Sequence, residues 1–352
     1  MRADSDAIPP EILEAYDLEL QTFERAPSGL INQTWIVETR SAERYVVQQL
    51  HALIPPAVNE RIQIVTARLR QLSICTPLLI PTTNGDTYVG VSDGVSWRVL
   101  TYVQGTSFDT VPDANYAREA GRVLARFHAA GVDWDMLGAL PLSTAHDLPR
   151  HLDALCAALK SESLHNDYAN IAKLADEILS FARTLTTPVP NSPRLVHGDP
   201  KISNILFGAN GGAVCLVDLD TVGLMDLVWE LGDAFRSWCN RSGEDTASTE
   251  FSLEIFEHAL SGYAEFGHHF IRSQEVAGIV CGILTIYVEL AARFCADALL
   301  EHYFAWDPTQ FSTRSAHNLT RARGQFNAAK DLASKRADAE RIVERVFGSG
   351  VS

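Results

Sequence analysis

The sequence predicts an α+β protein in two lobes, a small β-rich lobe over residues 1–104 and a larger, mainly helical lobe over residues 105–352. Strand-like alternation of apolar and polar residues dominates from Thr22 to Val103, the pattern of half-buried strands. Beyond Gln104 the apolar residues recur at helical spacing. One short stretch then interrupts the helices, "RLVHGDPKISNILF" at 194–207, with four chemically capable side chains between two apolar edges.

The elements follow in order. "TWIVET" and "RYVVQQL", joined by a short polar turn, predict a hairpin. "PPAVNERIQIVTARLRQL" carries apolar residues at helical spacing. "TYVGVSDGVSWRVLTYV" predicts two strands joined through Asp93-Gly94. The second lobe opens with three helices, "ANYAREAGRVLARFHAAG", "LPRHLDALCAALKSE" and "YANIAKLADEILSFARTL". The Pro-rich connector "TTPVPNSPRL" leads to the polar stretch, which pairs with "GAVCLVDLD" around a turn at "GANGG". After Leu227 the pattern is helical again.

Bulk properties narrow the function. A hydrophobic content of 46% supplies an ample core. The net charge of −15 argues against nucleic acid or an anionic membrane as partner, since both are bound through clustered Lys and Arg. The six cysteines are scattered without a Cys-x-x-Cys pair and sit among apolar neighbours, which predicts buried thiols in a reducing cytoplasm. The N-terminus lacks the pattern of a signal peptide, and the longest apolar run, 276–288, is short for a bilayer span. A soluble, cytoplasmic protein is expected.

The polar hairpin carries the chemistry. Asp199 and Asn204 are five apart in "HGDPKISN", Lys201 follows the aspartate by two, and "VDLD" adds Asp218 and Asp220. Phosphoryl transfer needs such a set. One carboxylate orients the attacking hydroxyl and takes its proton, while an amide oxygen and a second carboxylate hold the cation that bridges the nucleotide phosphates. Hard divalent cations prefer oxygen ligands, which Asn and Asp supply. A hydrogen-bonded turn would also use Asp and Asn, but the ordered set His197, Asp199, Asn204, Asp218 on two apolar strands is far more specific.

"HGDPKISNIL" followed by "VDLDTVGLMDLVWELGD" resembles the phosphotransferase enzyme family, which includes aminoglycoside phosphotransferases, choline kinases and homoserine kinases of protein-kinase-like bilobal fold. A closer likeness, to the N-acetylhexosamine 1-kinases, rests on "LINQTWIVET…RYVVQQL", "WRVLTYV", "VDLDTV", "ELAARFCADALLEHYF" and "HNLTRAR". The resemblance implies ATP and Mg²⁺ as cofactors, Asp199 as catalytic base, and Asn204 and Asp218 as metal ligands. It makes His197 a loop organiser and places Lys201 where a lysine steadies the transferred phosphate, a solvent-exposed loop lysine being the plainer alternative.

The chain departs from the common pattern in having no lysine before Lys160. Gln48, or Gln49 one register on, stands at the position of the strand lysine, and its amide N–H could serve phosphate without charge. Simple pairing within the sheet is the alternative, and a nucleotide-binding pseudokinase is the second class of function this leaves open. Glu60, without a lysine to pair, is expected to be a solvated or capping charge. Trp97, Val99 and Tyr102 lie in the run that resembles the strand entering the hinge, where adenine would bind, although Trp97 packs equally well in a core.

For the acceptor, Glu289, Arg293 and Asp297 form one stripe at i, i+4 and i+8. Charges on a helix that otherwise looks buried need partners, so the stripe is either a set of salt bridges or a polar wall for a hydroxylated substrate. The sugar-kinase likeness favours Arg293 and Tyr303 as acceptor contacts, with Asp233 and Arg236 as a second candidate position and support of the metal loop as the alternative for Asp233. No dense acidic wall suits a polycation, and no cluster of aromatics suits choline. The expected acceptor is a small molecule, a sugar or amino sugar, most simply the anomeric hydroxyl of an N-acetylhexosamine. The alternatives are homoserine, choline and an aminoglycoside.

Overall fold

The computed structural model describes residues 8–26, 32–51, 54–90, 95–186, 188 and 193–348. The chain divides into two compact units, Met1–Gln104 and Gly105–Ser352.

Among the described residues the first unit is an antiparallel sheet with two helices. Its elements are α1 (Pro10–Ala15), β1 (Leu20–Arg25), β2 (Gln33–Thr39), β3 (Arg44–Leu50), α2 (Val58–Gln71), β4 (Leu79–Ile80), β5 (Val89–Gly90) and β6 (Ser96–Thr101). The strand order is β1-β2-β3-β6-β4, with β5 also pairing β6. The expected β2–β3 hairpin forms with Trp35 opposite Val47, and Val47 in turn faces Val99 of β6. Because side chains alternate across a strand, these residues share one face with Val37 and Trp97. Ile8, Ile12 and Tyr16 cover that face as a closed core. The opposite face carries Gln48 and Arg98, and Arg98 reaches Asn59 of α2. The Asp93-Gly94 turn lies outside the described residues.

The Trp97 and Val99 side chains are therefore core residues, the packing role that the sequence left open for Trp97. Trp97 is 3% exposed and Val99 0%, and the Trp97 ring stacks on Trp35 with centroids 5.2 Å apart. A ring so packed stabilises the sheet, at about 0.5–1.5 kcal/mol beyond its area burial, and has no face left for a base.

The second unit is mainly helical. It runs α3 (Ala114–Ala129), α4 (Leu148–Ser161), α5 (Tyr168–Ala182), β7 (Arg194–Val196), β8 (Ile205–Phe207), β9 (Ala213–Leu216), β10 (Gly223–Met225), α6 (Leu227–Trp238), α7 (Leu253–Gly267), α8 (Ser273–Leu300), α9 (Arg314–Ser334) and α10 (Arg336–Phe347). Asp113 starts α3 by accepting the N–H groups of Asn115 and Tyr116, and Asp147 caps α4 in the same way through Arg150. Gly121 of α3 and Gly262 of α7 let the two helices touch backbone to backbone, since a Cβ at either would collide with the carbonyl of Ala259 or Arg118.

Helix α8 is long and apolar enough to cross a membrane, which the shorter apolar run at 276–288 does not suggest. Its most apolar window is 94% buried inside the protein, as in a core helix. Ile283, Ile286, Tyr287, Val288 and Phe294 are at most 2% exposed, and each such burial stabilises by roughly 1.5–3 kcal/mol. Four of the cysteines are buried as expected, but Cys75 is exposed and Cys156 half-buried. Residues 187 and 189–192 of the Pro-rich connector before β7 lie outside the described residues. β7 pairs with β10 and β8 with β9, both antiparallel, so the polar loop is held between two short ladders inside the helical unit.

Candidate active site

The loop between β7 and β8 owes its shape to groups on other elements. Glu230 of α6 is fully buried, and its carboxylate accepts the backbone N–H of His197 at 2.7 Å and of Gly198 at 3.0 Å. Gly198 has φ of +86°, and a Cβ there would lie 2.5 Å from the Thr221 carbonyl oxygen, so glycine is required. His197 Nε2 meets the Val217 carbonyl at 2.9 Å, and its Nδ1 receives the Asp199 N–H at 3.4 Å. That pair of partners selects the ring with its proton on Nε2. Trp238 Nε1 donates to the Pro200 carbonyl at 2.8 Å, which ties the loop to the end of α6.

Three functional side chains converge as a result. Lys201 Nζ lies 2.9 Å from Asp199 Oδ2. Asn204 Nδ2 donates to Asp199 Oδ2 at 3.1 Å and to the Asp199 carbonyl at 2.9 Å. The Asp199 carboxylate is thus fixed by a cation and an amide. Burial works against the charge of Lys201, but the charge of Asp199, the hydrogen bond to it and the more distant Asp218 and Glu244 raise its pKa overall. Lys201 is an ion-pair partner in the loop, its side chain 31% exposed.

Asp218 follows β9, and the Val217 N–H binds the Asn204 carbonyl at 2.9 Å, which brings Asp218 beside the loop. Its backbone is left-handed, φ 64° and ψ 61°, an uncommon conformation for a residue with a side chain. Burial, then the charges of Asp220 and Asp199, push its carboxyl up to about 6. Lys201 and His197 offset this only in part, and a carboxylate crowded by two others is the environment a divalent cation relieves. Asn204 uses its amide nitrogen on Asp199, which leaves the amide oxygen as the donor for a cation. Among the described residues no group of three or more His, Cys, Asp or Glu closes around a metal. An Asn–Asp pair of hard oxygens suits an ion that takes its remaining ligands from phosphate and water.

A second group of charges lies in the same unit. Asp233 of α6 pairs with Arg236 at 2.7 Å, and Arg236 reaches Glu244 at 3.0 Å. Burial opposes the charge on Asp233, but Arg236, His146 and Lys201 hold its carboxyl below the usual range. His146 Nδ1 lies 2.8 Å from Glu289 Oε1 of α8. Arg293, one turn on from Glu289, sits 5.9 Å from the Tyr303 ring and 5.5 Å from that of Phe304.

The sequence matches the model of the phosphotransferase enzyme family over residues 22–267. The chain belongs to this family. A homoserine kinase of Gluconobacter oxydans (strain 621H) is 26% identical over 255 residues, 70% of this chain and 77% of that protein. Among solved structures, a microcompartment-associated aminopropanol kinase superposes with a TM-score of 0.63 at 15% identity, covering 94% of this chain and 98% of its own. An amicoumacin kinase in complex with AMP-PNP, Ca²⁺ and Ami gives 0.61 at 15% identity and covers 92% of each chain. The fold is thus that of the kinase-like phosphotransferases, and the protein is a small-molecule phosphotransferase acting on hydroxyl groups.

In this phosphotransferase the expected residues fall into distinct settings. Asp199, Lys201 and Asn204 meet directly, with Asp218 beside them. Gln48 donates to Thr34 Oγ1 at 3.2 Å and accepts from Arg98 Nε at 2.8 Å, so its amide is engaged within the sheet. A buried cation on that face is Arg98, 1% exposed, which sequence reasoning passed over inside "WRVLTYV". Gln49 lies opposite Trp97 on the other register position. Tyr102 carries the Arg44 guanidinium 3.9 Å over its ring. Glu60 is exposed in the first turn of α2. The charged stripe on α8 divides: Asp297 accepts the backbone N–H groups of His302, Tyr303 and Phe304 and so shapes the turn after the helix, while Glu289 and Arg293 remain near His146. Tyr303 is 56% exposed. Sequence reasoning missed Glu230 and His146. Glu230 has a signal, a carboxylate amid the apolar residues of "LVWELGDAF", whereas His146 sits in a polar connector with none.

Proposed function

We propose that the protein transfers the γ-phosphate of Mg²⁺-ATP to a sugar hydroxyl, that of the anomeric carbon of an N-acetylhexosamine, in the cytoplasm. The observation that carries the reading is the Asp199 carboxylate held between Lys201 Nζ at 2.9 Å and Asn204 Nδ2 at 3.1 Å, with Asp218 close by. Asp199 takes the proton of the attacking hydroxyl as its oxygen bonds to the γ-phosphorus, and ADP leaves with the bridging oxygen. Lys201 then neutralises charge on the transferred group. Asn204 and Asp218 would hold the divalent cation, which when bound supplies charge neutralisation to the nucleotide phosphates.

A neutral acceptor is supported by the charges around His146. Asp233 is paired there with Arg236, and Arg293 opposes Glu289 and Asp233 in their action on His146, so part of the acidic charge a polycation would seek is already offset. The aromatics nearby already hold protein cations: Arg293 faces Tyr303 and Phe304, and Arg321 lies 5.6 Å from Phe294. A quaternary ammonium would compete with them. The homoserine kinase relative supports a second reading, with homoserine as acceptor.

ADP release with Mg²⁺-ATP against N-acetylglucosamine, N-acetylgalactosamine, other hexoses, homoserine, choline and an aminoglycoside decides between them, with Asp199→Asn as control. Turnover of one N-acetylhexosamine, lost in the variant, is the expected result. Turnover of homoserine alone would replace the sugar reading with the second one.

A further inference from the structure

The phosphotransfer loop leaves one buried pair unused. His146 Nδ1 bonds Glu289 Oε1 at 2.8 Å across 143 residues of sequence, and the two side chains are 7% and 1% exposed. Each has a second polar atom. His146 Nε2 and Glu289 Oε2 are both buried and, among the described residues, without a hydrogen-bond partner. Buried polar atoms are nearly always satisfied, and each exception calls for a ligand, a water or a function. Two open valences on one hydrogen-bonded pair mark a place where a polar guest would find both a donor and an acceptor to satisfy.

The surroundings tie this pair to the reacting group. Asp233, Glu289 and Arg293 all act on His146, and His151 Nε2 stands 3.9 Å from Glu289 Oε1. Asp233 in turn feels Lys201, and Lys201 holds the Asp199 carboxylate. A run of charges therefore connects the pair to the catalytic loop within one compact unit.

Donor and acceptor counting gives the guest's chemistry. With Nδ1–H spent on Glu289, an imidazolium offers one donor at Nε2, and Glu289 Oε2 offers one acceptor. A hydroxyl is both, so one hydroxyl or two neighbouring ones satisfy the pair. An ammonium, which only donates, would leave the Nε2–H of the charged ring unmet, whereas a hydroxyl also suits the neutral ring, which accepts at Nε2. We propose that His146 and Glu289 bind the acceptor through hydroxyls other than the one phosphorylated, a specificity contact for a polyhydroxylated substrate. This rests on the sugar reading above and gives it a recognition site. Burial disfavours the charged ring, but the hydrogen bond to Glu289 and the charges of Asp233 and Glu289 outweigh it and the opposing Arg293, which keeps the donor form available.

The test compares wild type, Glu289→Gln and His146→Gln for ADP release and for melting temperature. The probes are N-acetylglucosamine, N-acetylgalactosamine, homoserine and an aminoglycoside. With the sugar that wild type phosphorylates, both variants should raise the acceptor KM by about 10- to 100-fold, the loss of one charge-assisted bond, while the ATP KM moves less than about twofold. The rise in melting temperature on adding that sugar should vanish, and the rise with ADP should remain. An acceptor KM that stays put, or climbs only in step with the ATP KM, overturns the inference and leaves the sugar reading standing. A pair-dependent KM for the aminoglycoside supports the hydroxyl contact and overturns the neutral-sugar reading alone. Turnover of homoserine only, whose one hydroxyl is the reacting one, overturns both, as does the absence of any turnover or stabilisation. If His146→Gln does not fold, the isosteric Glu289→Gln decides.

Discussion

The Glu230 carboxylate accepts the backbone N–H of His197 at 2.7 Å, so a fully buried charge on α6 sets the position of the loop that carries Asp199. Its other oxygen takes the Gly198 N–H, and His128 Nε2 approaches to 3.4 Å. Glu230→Gln puts an amide N–H against a backbone N–H. A stability loss of about 2–3 kcal/mol, the worth of a hydrogen bond to a buried charge, is expected in urea denaturation. The rate kcat should fall at least about tenfold, because the base loses its position.

Gly198 is the second fixed point of the loop. Gly198→Ala meets a left-handed backbone and the Thr221 carbonyl together. Strain of this kind costs about 1–3 kcal/mol, so the melting temperature should drop. A steady-state assay should show kcat falling more than the ATP KM changes.

Asp218 is held up at about 6 by burial and by two neighbouring carboxylates. Asp218→Asn removes that repulsion and should stabilise the metal-free protein, by at most about 3 kcal/mol for a shift of this size. The same substitution should abolish turnover and the rise in melting temperature that Mg²⁺ gives the wild type. A thermal-shift titration with and without chelator reads both effects, and a loss of stability in chelator would contradict the crowding of charge described here.

His146 titrates above its ordinary value of 6.5 in the folded protein, burial being outweighed by Glu289 and Asp233 against Arg293. A raised folded-state value means that the ion pair stabilises fully below the unfolded value and is lost as pH climbs through the folded one. The stability gap between wild type and His146→Gln should therefore be widest below about pH 6.5 and narrow as the pH rises above it. Urea denaturation across that range checks it, and a gap that widens with pH would reverse the sign.

Much of this was legible in one dimension. Alternation in "TWIVET" and "RYVVQQL" is a property of adjacent residues, and the hairpin followed from it. The turn at "GANGG" likewise needs only local chemistry, and the Gly208 N–H to Gly212 carbonyl bond at 2.9 Å closes it. The family resemblance in "HGDPKISNIL" was equally local, since Asp199, Lys201 and Asn204 fall within six positions.

What the sequence by itself determined was the two-part α+β organisation and the composition of the phosphotransfer loop, because periodicity and short spacing are written between near neighbours. The tertiary structure alone decided which face of β6 is core and which is polar, and so placed the Trp97 and Val99 side chains in the packing around Trp35. It also decided that Gln48 pairs with Arg98 fifty positions away, that Asp297 ends its helix in a turn, and that Glu230 and His146 matter. Each of these depends on contacts across tens of residues. A buried charge shows its purpose only when its distant partner, present or missing, is in place.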